Sequence, residues 1–347
     1  MPPRRPDYPL RLRLDAAALA SNWRALDRLS GKASAGAAVK ANAYGLGARR
    51  IVPLLWKAGC RNFYVAHWAE AAELIDLVPA SNIAVLHGPM DAAEAAYARD
   101  TGLRPVLNSL EQVQHWRAAG GAACDLMVDT GMNRLGLDLS ELSDPVLSGL
   151  QVETLHSHLA CAEVSASQNE VQRKRWVQAC GIIPHQIAAL ANSSGIMLGA
   201  DYHGQLTRPG LALYGGVPCA ALAPHIRQVA QPEAQLILRR NLRAGDTVGY
   251  NAQFAAPRDM TVGVVALGYA DGYLRCWSGR GMLRSNDRPL PVLGRVSMDM
   301  TVVDLTAAPQ LRAGDWIGAD YALPAAAAAS GLSQYELLTS LGSRFLR

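Results

Sequence analysis

The stretch Ala37-Ala38-Val39-Lys40-Ala41-Asn42-Ala43-Tyr44-Gly45-Leu46-Gly47-Ala48 opens as an apolar strand, ends it on a lysine, and passes into a run of small residues. Seven further short runs of strand character follow, at residues 63–66, 83–87, 104–107, 125–129, 151–158, 187–192 and 211–214. They tend to be apolar throughout rather than alternating, the pattern of parallel strands covered on both faces. Amphipathic stretches such as 15–29 and 164–181 separate them. The first carries Leu19, Trp23 and Leu26 at helical spacing behind Asp15, a residue suited to an N-cap. Eight strands alternating with helices over roughly 200 residues have the size and rhythm of an α/β fold of the (β/α)8 TIM-barrel type. A doubly wound open sheet is the rival architecture.

The character changes near Pro232, after which β-type runs dominate at 236–238, 246–250, 261–267, 291–293 and 296–305. Arg-Ala-Gly-Asp occurs twice, at 243–246 and 312–315, each time as a Gly-Asp turn leading into a strand. The chain therefore divides into a barrel over 1–231 and a C-terminal, mainly β domain over 232–347. The boundary falls within 228–235, and the first ten or so residues are candidates to pack on the other domain.

Composition narrows the classes. Of 347 residues, 50% are apolar and 18% charged, which excludes intrinsic disorder. A net charge of +4 is too weak to point to nucleic acid. No membrane span is evident, the alanine run at 325–329 being short and weakly hydrophobic. The start, Met1-Pro-Pro-Arg-Arg-Pro-Asp, leads into alternating Leu and Arg rather than a signal-peptide core. Six cysteines without a C-x-x-C pair read as thiols in a reducing compartment, so a cytoplasmic protein is expected. No metal site is expected.

Chemistry-bearing residues gather at the carboxyl ends of the strands, where barrel active sites lie. Lys40 ends the first. Partial desolvation there lowers an amine's pKa and frees it as a Schiff-base nucleophile. A lone lysine at such a place more often snorkels to solvent. Asp129-Thr130-Gly131-Met132-Asn133-Arg134-Leu135-Gly136 follows the fifth run, His158 ends the sixth, Asn192-Ser193-Ser194 closes the seventh, and Arg208-Pro209-Gly210 stands at the eighth. Ser193 and the backbone N–H groups near Gly210 are donors suited to a phosphate. Taken singly, Arg134 and Arg208 read as salt-bridged arginines and His158 as a core histidine. Their common location is what argues for a site.

On these residues the chain resembles the alanine racemase family. Ala38-Val-Lys-Ala-Asn-Ala-Tyr-Gly-Leu-Gly47 is similar to its pyridoxal-phosphate attachment signature. Further likeness runs through Asp129-Thr-Gly-Met-Asn-Arg-Leu-Gly136, Ala191-Asn-Ser193, Arg208-Pro-Gly-Leu-Ala-Leu-Tyr-Gly215, Val248-Gly-Tyr250, Gly268-Tyr-Ala-Asp-Gly272 and Gly294-Arg-Val-Ser-Met-Asp299. The resemblance implies a barrel with a C-terminal β domain, assembled as a head-to-tail homodimer with shared active sites. It implies pyridoxal 5′-phosphate held by Lys40, with alanine as substrate.

Lys40 and Tyr250 of the partner subunit would be the two bases. A phenol of ordinary pKa about 10 needs cationic neighbours to serve as a base, and His158 and Arg208 match that network. Arg208 resembles the residue facing the pyridine nitrogen. Arg134 resembles the one meeting the cofactor phenolic oxygen and the substrate carboxylate. Tyr44, Asn192, Ser193, Gly210, Leu211 and Tyr269 match cofactor-binding or nearby entry positions, and Met298 with Asp299 the partner-subunit segment that holds the substrate carboxylate and narrows the pocket.

Three departures stand out. Met127 occupies the place of a carbamylated lysine that braces the arginine in some members, so bracing must come from elsewhere, Asn133 being a candidate. Ser343 falls where some members carry a gate tyrosine. Ala189 stands where a histidine precedes Ala191-Asn192, removing a possible partner of His158. The alternatives are an amino-acid decarboxylase, a broad-specificity or serine racemase, a non-catalytic cofactor-carrier barrel, or a structural barrel. Supplying D-alanine for peptidoglycan and alanine catabolism are both compatible with these residues.

Overall fold

Two sets of strands, each hydrogen-bonded into a ring, account for the two compact units of the computed structural model, which describes residues 8–342 and 344–345. Strand β1 (Leu10–Leu14) belongs with the second set, given below. The first unit, residues 16–227, contains β2 (Ser34–Ala35), β3 (Ala37–Ala38), β4 (Phe63–Val65), β5 (Ile83–Val85), β6 (Arg104–Leu107), β7 (Cys124–Met127), β8 (Val152–His156), β9 (His185–Ala189) and β10 (Leu206–Thr207). Strands β3 to β9 are parallel neighbours in chain order.

Ring closure uses β10. It runs parallel to β2, with Leu206 opposite Ser34 and Thr207 opposite Ala35. Ala38 N–H donates to the Pro209 carbonyl at 2.9 Å on that flank, and Arg208 N–H to the Ala191 carbonyl at 2.8 Å on the other. With β2 and β3 forming one interrupted strand, eight strands close a barrel, and an open doubly wound sheet is excluded. Tyr64, Ala84, Val106, Met127, Ala189 and Leu206, each from a different strand, pack as one buried cluster.

Helices follow where the sequence caps them. Ala16–Leu29 buries Leu19, Trp23 and Leu26. Ala92–Thr101 begins at Asp91, whose carboxylate accepts the Glu94 N–H, and Leu110–Ala118 at Ser109, which accepts the Gln112 N–H. Ser167–Ile182 covers the stretch between β8 and β9. Only two short 3-10 turns, Leu139–Glu141 and Pro145–Leu147, join β7 to β8. The eighth strand lies upstream of the run expected for it. Leu211–Tyr214 is a fully buried 3-10 helix, and the strand is Leu206–Thr207. Apolarity at 211–214 reports burial, which a short helix meets as well as a strand does.

The second unit, residues 8–15 with the described residues from 228 onward, is antiparallel. It contains β11 (Ala230–Leu242), β12 (Thr247–Val248), β13 (Phe254–Ala255), β14 (Met260–Val265), β15 (Met282–Ser285), β16 (Arg288–Leu293), β17 (Thr301–Asp304) and β18 (Trp316–Ala319). The order is β1-β11-β14-β17-β16-β15-β18, and β18 pairs back to β11. The alternating Leu and Arg residues of the amino-terminal segment are thus a strand. Leu10 and Leu12 are buried, while Arg11 and Arg13 reach Glu233 on β11 at 2.5 and 3.0 Å. Both Arg-Ala-Gly-Asp turns close alike, the Asp246 and Asp315 carboxylates accepting the Arg243 and Arg312 N–H groups, each at 2.8 Å. Gly245 at φ 91° and Gly314 at φ 94° take the left-handed position those turns need.

The alanine run forms the helix Leu323–Ser330, and no helix among the described residues is long and apolar enough to cross a membrane. All six cysteines are free thiols.

Glu233, only 8% exposed, is shared by two guanidinium groups. Glu233→Gln is expected to lower stability by about 1–2 kcal/mol, since one neutral amide cannot satisfy both cations. Thermal unfolding of parent and variant checks this; an unchanged midpoint would show that the β1 seam rests on Leu10 and Leu12 alone.

Candidate active site

Lys40 sits at the entrance of an unusual turn. Ala41, Asn42, Ala43 and Tyr44 all have φ between 52° and 54°, four consecutive L-residues in left-handed helical conformation. Each such residue costs about 1–2 kcal/mol relative to a right-handed one, so the turn must be held from outside as well as within. Ala43 N–H donates to the Val39 carbonyl and Gly45 N–H to the Ala41 carbonyl, both at 2.8 Å. The Asn42 carboxamide accepts the Ala48 N–H at 2.7 Å, fastening the helix Ala48–Ala58. Glu70 ties the turn to the end of β4, with Oε1 accepting the Ala41 N–H at 2.6 Å and Oε2 the Ala66 N–H at 2.8 Å. Burial pushes the Lys40 amine below its ordinary pKa. Arg134 and Arg208 push it the same way, and Glu70 opposes them.

Beside this turn, across the closure of the barrel, lies a donor-rich corner. Ser193 Oγ accepts the N–H of Gly210 at 3.0 Å and of Ala212 at 3.4 Å. A Cβ at Gly210 would lie 2.2 Å from the Tyr44 hydroxyl, so only glycine fits that contact. The Tyr44 ring packs on Tyr214 at 4.9 Å, and burial raises its hydroxyl to about 12, keeping it a donor at neutral pH. Leu211 begins the 3-10 helix that follows. Serine, glycine and a short extra helix after the last two strands are the parts from which barrels build phosphate sites. The Asn192 side chain is engaged by the Gly195 N–H at 2.9 Å and shapes the loop holding Ser193.

Arg208 is buried and held on three sides. Nη1 donates to His156 Nδ1 at 3.0 Å and to the Ala189 carbonyl at 2.7 Å, and Nη2 donates to the Ser157 carbonyl. Ala189, with no side-chain polar group, contributes its backbone carbonyl here. His158 differs from its expected role as a cation. Its burial, then Arg208, Arg134 and Lys40, lower it to about 3, so its ring is neutral near pH 7 and adds no positive charge there.

The Asp129–Gly136 loop is organised by its first residue. Asp129 Oδ1 accepts the N–H of Gly131 at 2.7 Å and of Met132 at 2.8 Å, and Oδ2 that of Arg134 at 3.1 Å. Thr130 Oγ1 reaches Ser157 Oγ at 2.7 Å. Met127 is buried in the barrel cluster. Asn133 stands at φ 58°, and among the described residues no hydrogen bond joins it to the Arg134 guanidinium.

Tyr250, Tyr269, Met298 and Asp299 belong to the β unit and are described within it. Tyr250 follows the two-residue strand β12, where Gly249, Asn251 and Ala252 all have positive φ, and it is 67% exposed rather than a half-buried strand residue. Tyr269 N–H and Ala270 N–H donate to the carbonyls of Ser297 and Met298, each at 3.0 Å, which joins two of the motifs. Arg344 grips Asp299 Oδ1 at 2.7 Å and buried Asp271 Oδ1 at 2.8 Å, so Asp299 is engaged by a cation of its own unit. Ser343 lies outside the described residues.

The first unit thus brings together Lys40, Tyr44, Arg134, His158, Ser193, Arg208 and Gly210. An amine biased toward its free form, a fixed guanidinium and a corner of N–H and O–H donors suit capture of a carbonyl compound that carries an anionic group. Sequence reasoning missed Glu70, Asp125, His156 and Arg344. The signal available for His156 was its place two residues before His158, on the same face of a strand.

Comparisons with known proteins agree across the chain. The family models for the alanine racemase N-terminal domain and C-terminal domain match residues 14–218 and 229–347. An alanine racemase of Rhodospirillum rubrum is 42% identical, covering 97% of this chain and 94% of that protein. A biosynthetic alanine racemase of Agrobacterium fabrum is 41% identical, covering 98% and 93%. The crystal structure of alanine racemase from Bartonella henselae with covalently bound pyridoxal phosphate superposes with a TM-score of 0.88 at 35% identity, covering 99% of both chains.

The buried histidines predict an acid-sensitive fold. Burial is the largest influence lowering His156 from its ordinary 6.5 to about 4, and His158 falls to about 3. Between 6.5 and 4 the unfolded chain binds protons that the folded chain refuses, so stability rises with pH across that window and is lost as pH falls. Urea midpoints measured at pH 7 and pH 5 are expected to drop at the lower pH. An equal or higher midpoint at pH 5 would contradict neutral buried rings.

Proposed function

The chain belongs to the alanine racemase family, and from that premise we propose that it interconverts L- and D-alanine with pyridoxal 5′-phosphate, using Lys40 of one protomer and Tyr250 of the partner subunit as bases on opposite faces of the substrate. The observation that carries this reading is the Lys40 amine, held below its ordinary pKa on a turn that packs against Gly210 through Tyr44. The barrel residues fit the cofactor. Gly210 lets the Tyr44 hydroxyl close against its backbone, Ser193 Oγ lies beside them on the N–H groups of Gly210 and Ala212, and Arg208 offers further N–H groups.

When bound, the cofactor supplies a carbonyl for the amine and an electron-withdrawing ring that acidifies the substrate Cα–H. The chain's own residues do the rest. Tyr44, Ser193, Gly210, Leu211 and Tyr269 bind the phosphate end or its approach, with Asn192 shaping the loop. Arg208, permanently charged, would hold the ring-nitrogen end of the cofactor and would not hand it a proton. Arg134 would orient the substrate carboxylate, and the Met298–Asp299 segment of the partner subunit would hold its other side and narrow the pocket. Lys40 holds and returns the proton on the D face, Tyr250 on the L face. Neutral His158 adds no charge, which leaves Arg208 as the cation that would favour the Tyr250 phenolate. The exposure of Tyr250 on its own unit supports a role across a head-to-tail homodimer. The product would supply peptidoglycan with D-alanine.

Purified protein with L-alanine and pyridoxal phosphate is expected to give D-alanine on a chiral column, with L-serine and L-lysine in parallel as a test of strictness. No D-product from any of them, despite bound cofactor, would overturn the reading. Tyr250→Phe should lower turnover by roughly 10²–10⁴-fold, the usual worth of a matched acid–base group. Heterodimers of a Lys40→Ala chain and a Tyr250→Phe chain should regain activity well above that of either homodimer. Verified heterodimers that stay inactive would exclude shared sites.

A further inference from the structure

A line of buried polar groups runs through the barrel interior and ends on Arg208. Asp125 on β7 and His156 on β8 are fully buried, and Arg208, after β10, is 7% exposed. Asp125 Oδ2 lies 2.9 Å from His156 Nε2, and His156 Nδ1 lies 3.0 Å from Arg208 Nη1. The direction of both bonds is forced. A guanidinium has no acceptor, so Nη1–H donates to Nδ1. The ring then carries its one proton on Nε2 and donates it to the carboxylate. Asp125 is fixed in turn, Oδ1 accepting the Thr154 N–H at 3.2 Å while Arg104 Nε stands 3.8 Å from Oδ2. Burial keeps the His156 ring neutral.

The effect on Arg208 follows from counting donors. A guanidinium with its Nε–H has five N–H groups. His156 and the Ala189 carbonyl take both on Nη1, and the Ser157 carbonyl takes one on Nη2. The Nε–H and the second Nη2–H are left for another acceptor, and a turn about the Nε–Cζ bond would break all three contacts. The seventh strand offers only a backbone carbonyl at this height, because residue 189 is alanine. The side-chain acceptor comes from the sixth.

We propose that Asp125 and His156 are positioning residues forming a relay that fixes the Arg208 guanidinium with its Nε edge toward the ring-nitrogen end of the cofactor site. The inference rests on the cofactor reading above. The relay also sets a carboxylate behind a buried cation that no carboxylate among the described residues touches directly, which lessens the penalty for burying it.

Three variants and a control test it in the cofactor-loaded protein: His156→Leu, His156→Gln, Asp125→Asn and, as control, Val106→Ala in the same interior cluster. Glutamine keeps the order, its amide oxygen toward Arg208 and its N–H toward Asp125. His156→Leu is expected to lower kcat by about 10–100-fold at a nearly unchanged KM for L-alanine, the scale of a misplaced group. It should also weaken pyridoxal-phosphate affinity and alter the visible circular dichroism of the bound cofactor. His156→Gln should restore most of each, Asp125→Asn should fall between, and Val106→Ala should lose thermal stability only.

A folded His156→Leu protein with the parent's kcat, affinity and dichroism would overturn the relay. Should that variant not fold, a parental spectrum and kcat in Asp125→Asn would overturn it instead. A parent chain that binds no pyridoxal phosphate refutes the cofactor reading itself, an outcome distinct from all of these.

Discussion

The seam at which Ala38 N–H meets the Pro209 carbonyl is the constraint on which the chemistry of the barrel depends. Lys40 lies two residues beyond one side of that bond, and Arg208 and Gly210 flank the other. In an open sheet these residues would stand on opposite edges; closure makes them neighbours. One such hydrogen bond contributes only about 0.5–1.5 kcal/mol net, so closure is kept by the whole ring of parallel pairings and the side chains packed inside it. Rigidity of the site is thus a property of the barrel rather than of any one contact.

On that rigid frame the structure holds two local arrangements that would not stand alone. One is the left-handed turn after Lys40, strained in four successive residues and fastened by Glu70 and Asn42. Such strain persists only where the surroundings over-determine it. The other is the concentration of cations, Lys40, Arg134 and Arg208, opposed by Glu70 at the turn and Asp125 behind His156. A site arranged in this way is short of negative charge, which suits the anionic cofactor and carboxylate substrate proposed for it.

The barrel and its principal charged groups were legible because they generate strong local signals. Continuous apolar runs mark parallel strands, and polar residues placed just after them mark the active face. The eighth strand was not legible, since Leu206–Thr207 is two residues long between polar neighbours, while the apolar Leu211–Tyr214 beside it is a buried 3-10 helix. The backbone hand at 41–44 was equally hidden. Asn42 tolerates positive φ, but alanine on both sides signals an ordinary helix. Asp125 and His156 read as isolated polar residues in strands, and their meaning arises only when registry sets β7 beside β8. The resemblance of motifs reached Tyr250, whose exposure on a two-residue strand end no periodicity could have foretold.

Strand β1 has a consequence for the order in which the molecule can be made. Its Leu10 pairs with Ala234, across the entire barrel sequence. At a synthesis rate of roughly 5–20 residues per second, the first strand waits about 10–45 s for its partner to emerge. The barrel, lying wholly between the two, can fold first while an edge of alternating leucine and arginine remains unpaired. The arginines that later meet Glu233 therefore serve an earlier purpose, keeping that waiting edge charged and poorly suited to pairing with another nascent chain.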